Sequence, residues 1–234
     1  MKERELALVM PVYNEAGIIT DVVRKWTAEL QRLKIDYQIH VYNDGSRDNT
    51  LRILNVIAAE NKRLIVHDKP NSGHGPTVLR AYNENISAEW IFQIDSDDEI
   101  GTEKFGEIWN NRSKYDFLIG RRIKSEQPLE RKIISFVSRL TVWILYGNKI
   151  FDVNCPYRLM RSEVFKDIYR SLPEDLFAPN VIISGIVSLK NINASEIPVQ
   201  YVNRTTGEIS IKKMKLFKAA LKSFYQTIEC RFSS

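Results

Sequence analysis

The sequence predicts a single α/β domain, with a mostly parallel central sheet and helices on both faces. Three observations carry that prediction. In the first half of the chain, four apolar runs of strand length alternate with stretches whose apolar residues recur at helical spacing. The runs are apolar throughout instead of alternating, as in strands buried on both faces. Each run also leads into a polar, acidic or glycine-bearing turn, and such sheets bind ligands beyond the carboxyl ends of their strands.

Taken in order, Leu6-Ala7-Leu8-Val9-Met10-Pro11-Val12 is the first strand, followed by Tyr13-Asn14-Glu15. Residues 18–33 form a helix, with Ile19, Val22, Val23, Trp26, Leu30 and Leu33 on one stripe. Tyr37-Gln38-Ile39-His40-Val41-Tyr42 is the second strand and closes in Asn43-Asp44-Gly45-Ser46, which is turn chemistry. A second helix carries Leu51, Ile53, Leu54, Val56 and Ile57, and Leu64-Ile65-Val66-His67 is the third strand. Asn71-Ser72-Gly73-His74-Gly75-Pro76 then opens a helix over 77–85. Glycines at a helix start admit a phosphate close to the backbone, and the helix dipole favours its charge, although an ordinary turn uses the same residues. His74 is either a ligand contact or a solvated loop side chain.

The fourth strand, Trp90-Ile91-Phe92-Gln93-Ile94, runs into Asp95-Ser96-Asp97-Asp98-Glu99, four acids in five positions. Carboxylates crowded at a strand end repel one another unless a cation sits among them. A hard divalent ion such as Mg²⁺ or Mn²⁺ takes oxygen ligands and often uses one or two carboxylates plus substrate phosphates. An acidic cap on the next helix is the alternative. Tyr13 to Glu15, Asn43-Asp44, the glycine loop and the acids all fall at carboxyl ends of strands, which favours the metal and phosphate reading.

At 234 residues the chain suffices for one large domain. Its two cysteines, Cys155 and Cys230, form no metal-binding pair or disulfide scaffold and fit a reducing compartment. No leader is expected at the start, and no run of about 18 apolar residues exists for a membrane span. A cytoplasmic location, with peripheral attachment to the inner membrane face as an option, is expected. The balance of 34 basic to 29 acidic residues gives +5, which suits an anionic substrate or a membrane surface. Zinc-finger spacings and RNA-binding aromatic motifs are missing, so nucleic acid is not expected as a partner.

Val9-Met10-Pro11-Val12-Tyr13-Asn14-Glu15, Tyr42-Asn43-Asp44-Gly45-Ser46-Arg47-Asp48-Asn49-Thr50, Asn71-Ser72-Gly73-His74-Gly75 and Asp95-Ser96-Asp97 resemble the successive motifs of the family 2 glycosyltransferases. The resemblance implies the GT-A fold, a Rossmann-like sheet, over residues 1–210, with 1–100 holding a nucleotide-sugar donor and 101–210 an acceptor. It implies that Pro11, Tyr13, Glu15 and Asp44 line the nucleobase and ribose pocket, with Gly73, Gly75, Asp95 and Ser96 also on the donor. Asp95-Ser96-Asp97 is then the DxD motif, with Asp97 on a Mg²⁺ or Mn²⁺ ion that bridges the donor diphosphate. Asp95 and Glu99 complete the metal set; Glu99 stands where one branch often has a metal-binding glutamine. The glycine loop departs from many members at His74 and Pro76.

In the second half, Asp116-Phe117-Leu118-Ile119-Gly120-Arg121-Arg122 is a fifth strand ending in two arginines, suited to phosphate or simply solvated. Residues 131–146 form a helix apolar around most of its circumference, either core or membrane-interfacial. Residues 152–161 and 196–210 resemble the dolichol-phosphate mannose synthase and polyprenyl-phosphate glycosyltransferase branch. That resemblance implies phosphate contacts at Arg204 and at Arg121 or Arg122, with Arg131 and Ser135 as further candidates for the lipid phosphate. Residues 211–234 make a basic amphipathic helix, with Met214, Phe217, Leu221, Phe224 and Ile228 at 3-4 spacing. It packs on the domain, meets a membrane surface, or joins a homo-oligomer.

The expected reaction is inverting transfer of a hexose from a UDP- or GDP-sugar to a polyprenyl phosphate. Asp97, Arg122, Arg204 and Asp152 are the residues expected to carry it. Transfer to a sugar hydroxyl is the alternative and needs a carboxylate base, for which Asp152 and Glu174-Asp175 are candidates. A nucleotide-sugar-binding protein without transfer activity is the alternative of another class.

Overall fold

The computed structural model describes residues 4–123, 129–147, 149–202 and 213–232, with the side chains at 129–135 and 213–220 outside the description. Arg204, and the side chains of Arg131 and Ser135, therefore lie outside the described residues.

The first half alternates as expected: β1 (Leu6–Val12), α1 (Ile19–Arg32), β2 (Tyr37–Asp44), α2 (Thr50–Glu60), β3 (Leu64–Lys69), α3 (His74–Glu84) and β4 (Trp90–Gln93). The second half contains α4 (Phe105–Asn111), β5 (Phe117–Ile123), α5 (Leu129–Tyr146), β6 (Arg158–Arg161) and α6 (Ser162–Ser171). It ends in α7 (Pro179–Leu189), β7 (Ala194–Gln200) and α8 (Lys213–Phe232). One seven-stranded sheet runs in the order β3-β2-β1-β4-β6-β5-β7. Only β6 is antiparallel to its neighbours, β4 and β5; the other pairs are parallel.

Pleat alternation sorts the helices between two faces. Phe92 packs on Trp26 of α1 and Phe105 of α4, whereas its neighbour Gln93 bonds Tyr82 of α3 and Asn180 of α7. Successive strand residues point to opposite faces, so α1 and α4 cover one and α3 and α7 the other. All seven residues of β1 are buried, which is why that run carries no polar alternation.

Helix α3 begins at His74, three residues ahead of the expected start. Gly73 takes the left-handed φ of +94° before it, and Pro76 sits in the first turn, where a missing N–H costs no helical bond. Among the described residues no helix is long and apolar enough to cross a membrane.

On the outer strands, His40 and His67 face one another, Nδ1 to Nε2 at 3.1 Å, and His67 stacks on Tyr42 at 4.2 Å. Burial, reinforced by His67, pushes His40 down to about 4; burial also lowers His67. Below the ordinary histidine range the unfolded chain therefore binds protons that the folded chain refuses. The histidines' contribution to stability is full above about pH 6.5 and falls toward pH 4, His40 accounting for roughly 3 kcal/mol of it. Urea unfolding of the protein and of His40→Gln at pH 7 and pH 4.5 isolates it: the variant should lose less stability between the two.

Candidate active site

The register places one end of every strand beside the others. Val12 lies opposite Asn43, Asp44 opposite Lys69, and Gln93 opposite Val9. Because β5 and β7 run in the same direction as β4, Arg121, Arg122 and Tyr201 reach this edge too.

The loops after β1 and β2 are laced together. Asn14 takes a positive φ of 56°, its N–H donates to Ser46 Oγ (2.9 Å), and its Oδ1 accepts from Arg47 N–H (2.8 Å). Glu15 N–H donates to Thr50 Oγ1 (2.8 Å). Glu15 is buried, Tyr13 is half-buried, and Pro11 is buried within β1.

Asp44 is the most enclosed polar group of the expected donor set. Its Oδ1 accepts from the Lys69 ammonium and from Ser72 N–H (2.8 Å), and its Oδ2 from Gly73 N–H (2.9 Å). Burial alone would raise its carboxyl, but these donors, Lys69 foremost, hold it below the usual carboxylate range. Lys69 also donates to Thr77 Oγ1 (3.0 Å) and Ser72 Oγ (2.7 Å), and its side chain is 6% exposed. Sequence reasoning missed Lys69; at the end of an edge strand it reads as a solvated lysine.

The two loop glycines have different uses. Gly73 supplies the left-handed turn, and open space surrounds it. At Gly75 a Cβ would collide with the carbonyl oxygens of Leu176 and Phe177, so the close approach there is to the protein's own backbone. Gly75→Ala is expected to cost about 1–3 kcal/mol by overpacking and to disturb the glycine loop; thermal unfolding measures it.

The acidic loop is resolved acid by acid. Asp95 Oδ1 accepts from His74 Nε2 (3.0 Å) and Gln93 Nε2 (3.4 Å). Burial works against both charges, yet this pair raises His74 and lowers Asp95. Ser96 is buried. Asp98, for which the sequence offered no partner, bonds Lys25 of α1 and takes a positive φ of 58°. Asp97 accepts from Glu99 N–H (3.2 Å). Burial first, then the charges of Asp95 and Glu99, push Asp97 up to about 8.

Among the described residues, no group of three or more His, Cys, Asp or Glu side chains is gathered tightly enough to hold a metal ion by itself. An ion of the Mg²⁺ or Mn²⁺ type needs no such group, since it keeps waters and takes substrate phosphates beside one or two carboxylates.

Across the edge, Arg122 donates through Nε (2.8 Å) and Nη2 (2.7 Å) to the two oxygens of Asp152, and through its backbone N–H as well. This pairing raises the Arg122 guanidinium against the lowering effect of burial. Glu196 fixes the loop beneath by accepting from the N–H groups of Phe151 and Asp152. Arg121, next in the strand, is exposed. Val202 N–H donates to the Glu99 carbonyl (2.9 Å), so the chain leaves β7 beside the acidic loop. Asp175 is exposed and pairs with Lys222 of α8 (3.6 Å).

A family model described as glycosyl transferase family 2 matches residues 7–169. The chain is 25% identical over 213 residues to an undecaprenyl-phosphate 4-deoxy-4-formamido-L-arabinose transferase of Pseudomonas fluorescens, covering 90% of this chain and 61% of that relative. It therefore spans less than two thirds of that relative's length. Mannosyl-3-phosphoglycerate synthase of Rubrobacter xylanophilus superposes with a TM-score of 0.70 at 14% identity, covering 98% of this chain and 74% of that one. A mannosyltransferase of Pyrobaculum calidifontis, solved with GDP-Man and Mn²⁺, gives 0.67 at 14% identity over 99% of this chain and 65% of that one. These superpositions establish the GT-A architecture. With a matched segment that spans most of the chain, it belongs to glycosyl transferase family 2.

Proposed function

We propose that the chain moves a hexose from a nucleoside diphosphate sugar to a polyprenyl phosphate, inverting the anomeric carbon. The observation that carries this reading is the arrangement of charge across one sheet edge. Carboxylates wanting a cation, Asp97 and Glu99, sit on the side of Asp44 and the glycine loop, and a guanidinium, Arg122, stands opposite. The relatives that transfer 4-deoxy-4-formamido-L-arabinose carry undecaprenyl phosphate in their names, which supports the same acceptor class here.

In this reading the first half, to about residue 100, binds the donor, with Asp44 and its Lys69 support at the nucleobase. Asp97 and Glu99 would hold Mg²⁺ or Mn²⁺. When bound, such an ion supplies positive charge to the departing diphosphate, where negative charge develops. Arg122, with Arg121 and Arg204, draws the acceptor phosphate into line. A phosphate monoester is ionised near neutral pH and attacks without a general base. A sugar hydroxyl would need one, and the two oxygens of Asp152 are already engaged by Arg122. That engagement favours the phosphate acceptor. The outward side chains Phe136, Leu140 and Ile144 of α5, with Phe224 and Tyr225 of α8, are exposed and suit contact with the membrane that holds such a lipid.

The test offers UDP- and GDP-sugars with Mn²⁺ to the protein, and either undecaprenyl phosphate in detergent or an oligosaccharide as acceptor. Labelled lipid product alone supports the reading. Product on the oligosaccharide alone replaces the acceptor class. Nucleotide binding with no transfer to either makes the protein a binder.

A further inference from the structure

A chain of buried amides holds the acidic loop from beneath. Gln93, at the end of β4, has no exposed surface, and Asn180, in the first turn of α7, has 3%. The Asp95 carboxylate can only accept, so the Gln93 amide turns its nitrogen toward Asp95 Oδ1 (3.4 Å) and its oxygen away. That oxygen takes Asn180 Nδ2–H (2.9 Å), which fixes the second amide as well. The Tyr82 hydroxyl lies between two acceptors, Gln93 Oε1 and Asn180 Oδ1 (2.9 Å), and its one proton serves either. Arg158 Nη1 anchors the same turn by donating to the Asn180 carbonyl (3.1 Å). Tyr82 and Asn180 thus both donate to the Gln93 amide oxygen, and the Gln93 nitrogen donates onward to Asp95. A buried network of this kind stays ordered only while every member is satisfied.

We propose that Gln93 and Asn180 are positioning residues for the donor site, setting the orientation of Asp95 from α7 in the acceptor half. The inference rests on the donor reading given above. His74 and Gln93 together engage Asp95 Oδ1, so Asp95 presents Oδ2 alone to a ligand. Asp95 then serves as a one-oxygen contact of fixed direction. Side chains of α3, β4 and α7 meet in this network, so a change in the seating of α7 can reach Asp95 through two hydrogen bonds.

Gln93→Met and Asn180→Leu remove the amides at nearly constant volume. Calorimetric titration of each variant with Mn²⁺ and UDP or GDP should show binding weakened about tenfold. Donor KM should rise with kcat changed much less, a split that a purely structural loss would not give. Neither change should weaken binding further in an Asp95→Asn background. Unchanged nucleotide affinity in both variants, or losses that add to that of Asp95→Asn, would overturn the proposal. If the unaltered protein binds neither nucleotide, the donor reading has failed, and urea unfolding still decides this one. The stability lost in Gln93→Met must then be smaller in the Asp95→Asn background, because an uncharged acceptor holds the amide less strongly; equal losses sink it. Should Asn180→Leu fail to fold, Asn180→Asp keeps the shape while reversing the donor. It should weaken binding more than Gln93→Met, and affinity equal to that of the unaltered protein would count against the proposal.

Discussion

Asp97→Asn is expected to lower sugar transfer by roughly 10³-fold or more while leaving the metal-free protein at least as stable. The first half follows from where charge develops. If Asp97 holds Mg²⁺ or Mn²⁺ as proposed, its loss removes several kcal/mol of stabilisation at the departing diphosphate; each tenfold in rate is about 1.4 kcal/mol. The second half follows from burial. Burial first, then the charges of Asp95 and Glu99, push the Asp97 carboxyl up, so its charge does not help the folded state without a cation. Transfer rate and melting temperature of the two proteins in chelator decide it. A variant that keeps metal-dependent nucleotide binding would remove Asp97 from the assignment.

Lys69→Met is expected to cost about 3–5 kcal/mol, because it leaves Asp44 as a buried charge with only backbone donors. Both side chains are 6% exposed, so solvent offers little relief. Donor affinity should fall with stability, since Asp44 would no longer be held in place. Adding Asp44→Asn should recover part of the stability but none of the affinity. Urea denaturation of the single and double variants measures the first claim and nucleotide titration the second. A loss under about 1 kcal/mol for Lys69→Met would place the pair among ordinary surface ion pairs.

The parallel half of the fold was legible because burial on both faces writes itself as unbroken apolar runs, as in β1 and β4. The antiparallel β6 was not. It has four residues, two of them arginines, and its fully buried Arg158 is satisfied by the carbonyls of Val153, Cys155 and Asn180 instead of by a carboxylate. The motif aspartates and glycines also stood out, not by residue type, which is ordinary in turns, but by falling at successive strand ends in the order of the family's motifs. Their supports did not. Lys69 serves Asp44 across the β2–β3 register, Lys25 serves Asp98 from α1, and Asn180 bonds Gln93 from α7. Each is an ordinary residue in its own neighbourhood and acquires a role only when distant segments meet. Gly75 shows the converse case. Its presence in a glycine motif suggested phosphate, whereas the backbone of Leu176 and Phe177 fills the space its missing Cβ leaves.

A crystal structure of the protein with Mn²⁺ and UDP or GDP tests the central claim most directly. The account predicts the ion between Asp97, Glu99 and the diphosphate, the base beside Asp44, and Arg122 across the cleft from the phosphates. A nucleotide bound away from the carboxyl ends of the strands, or an ion coordinated without Asp97, would contradict it.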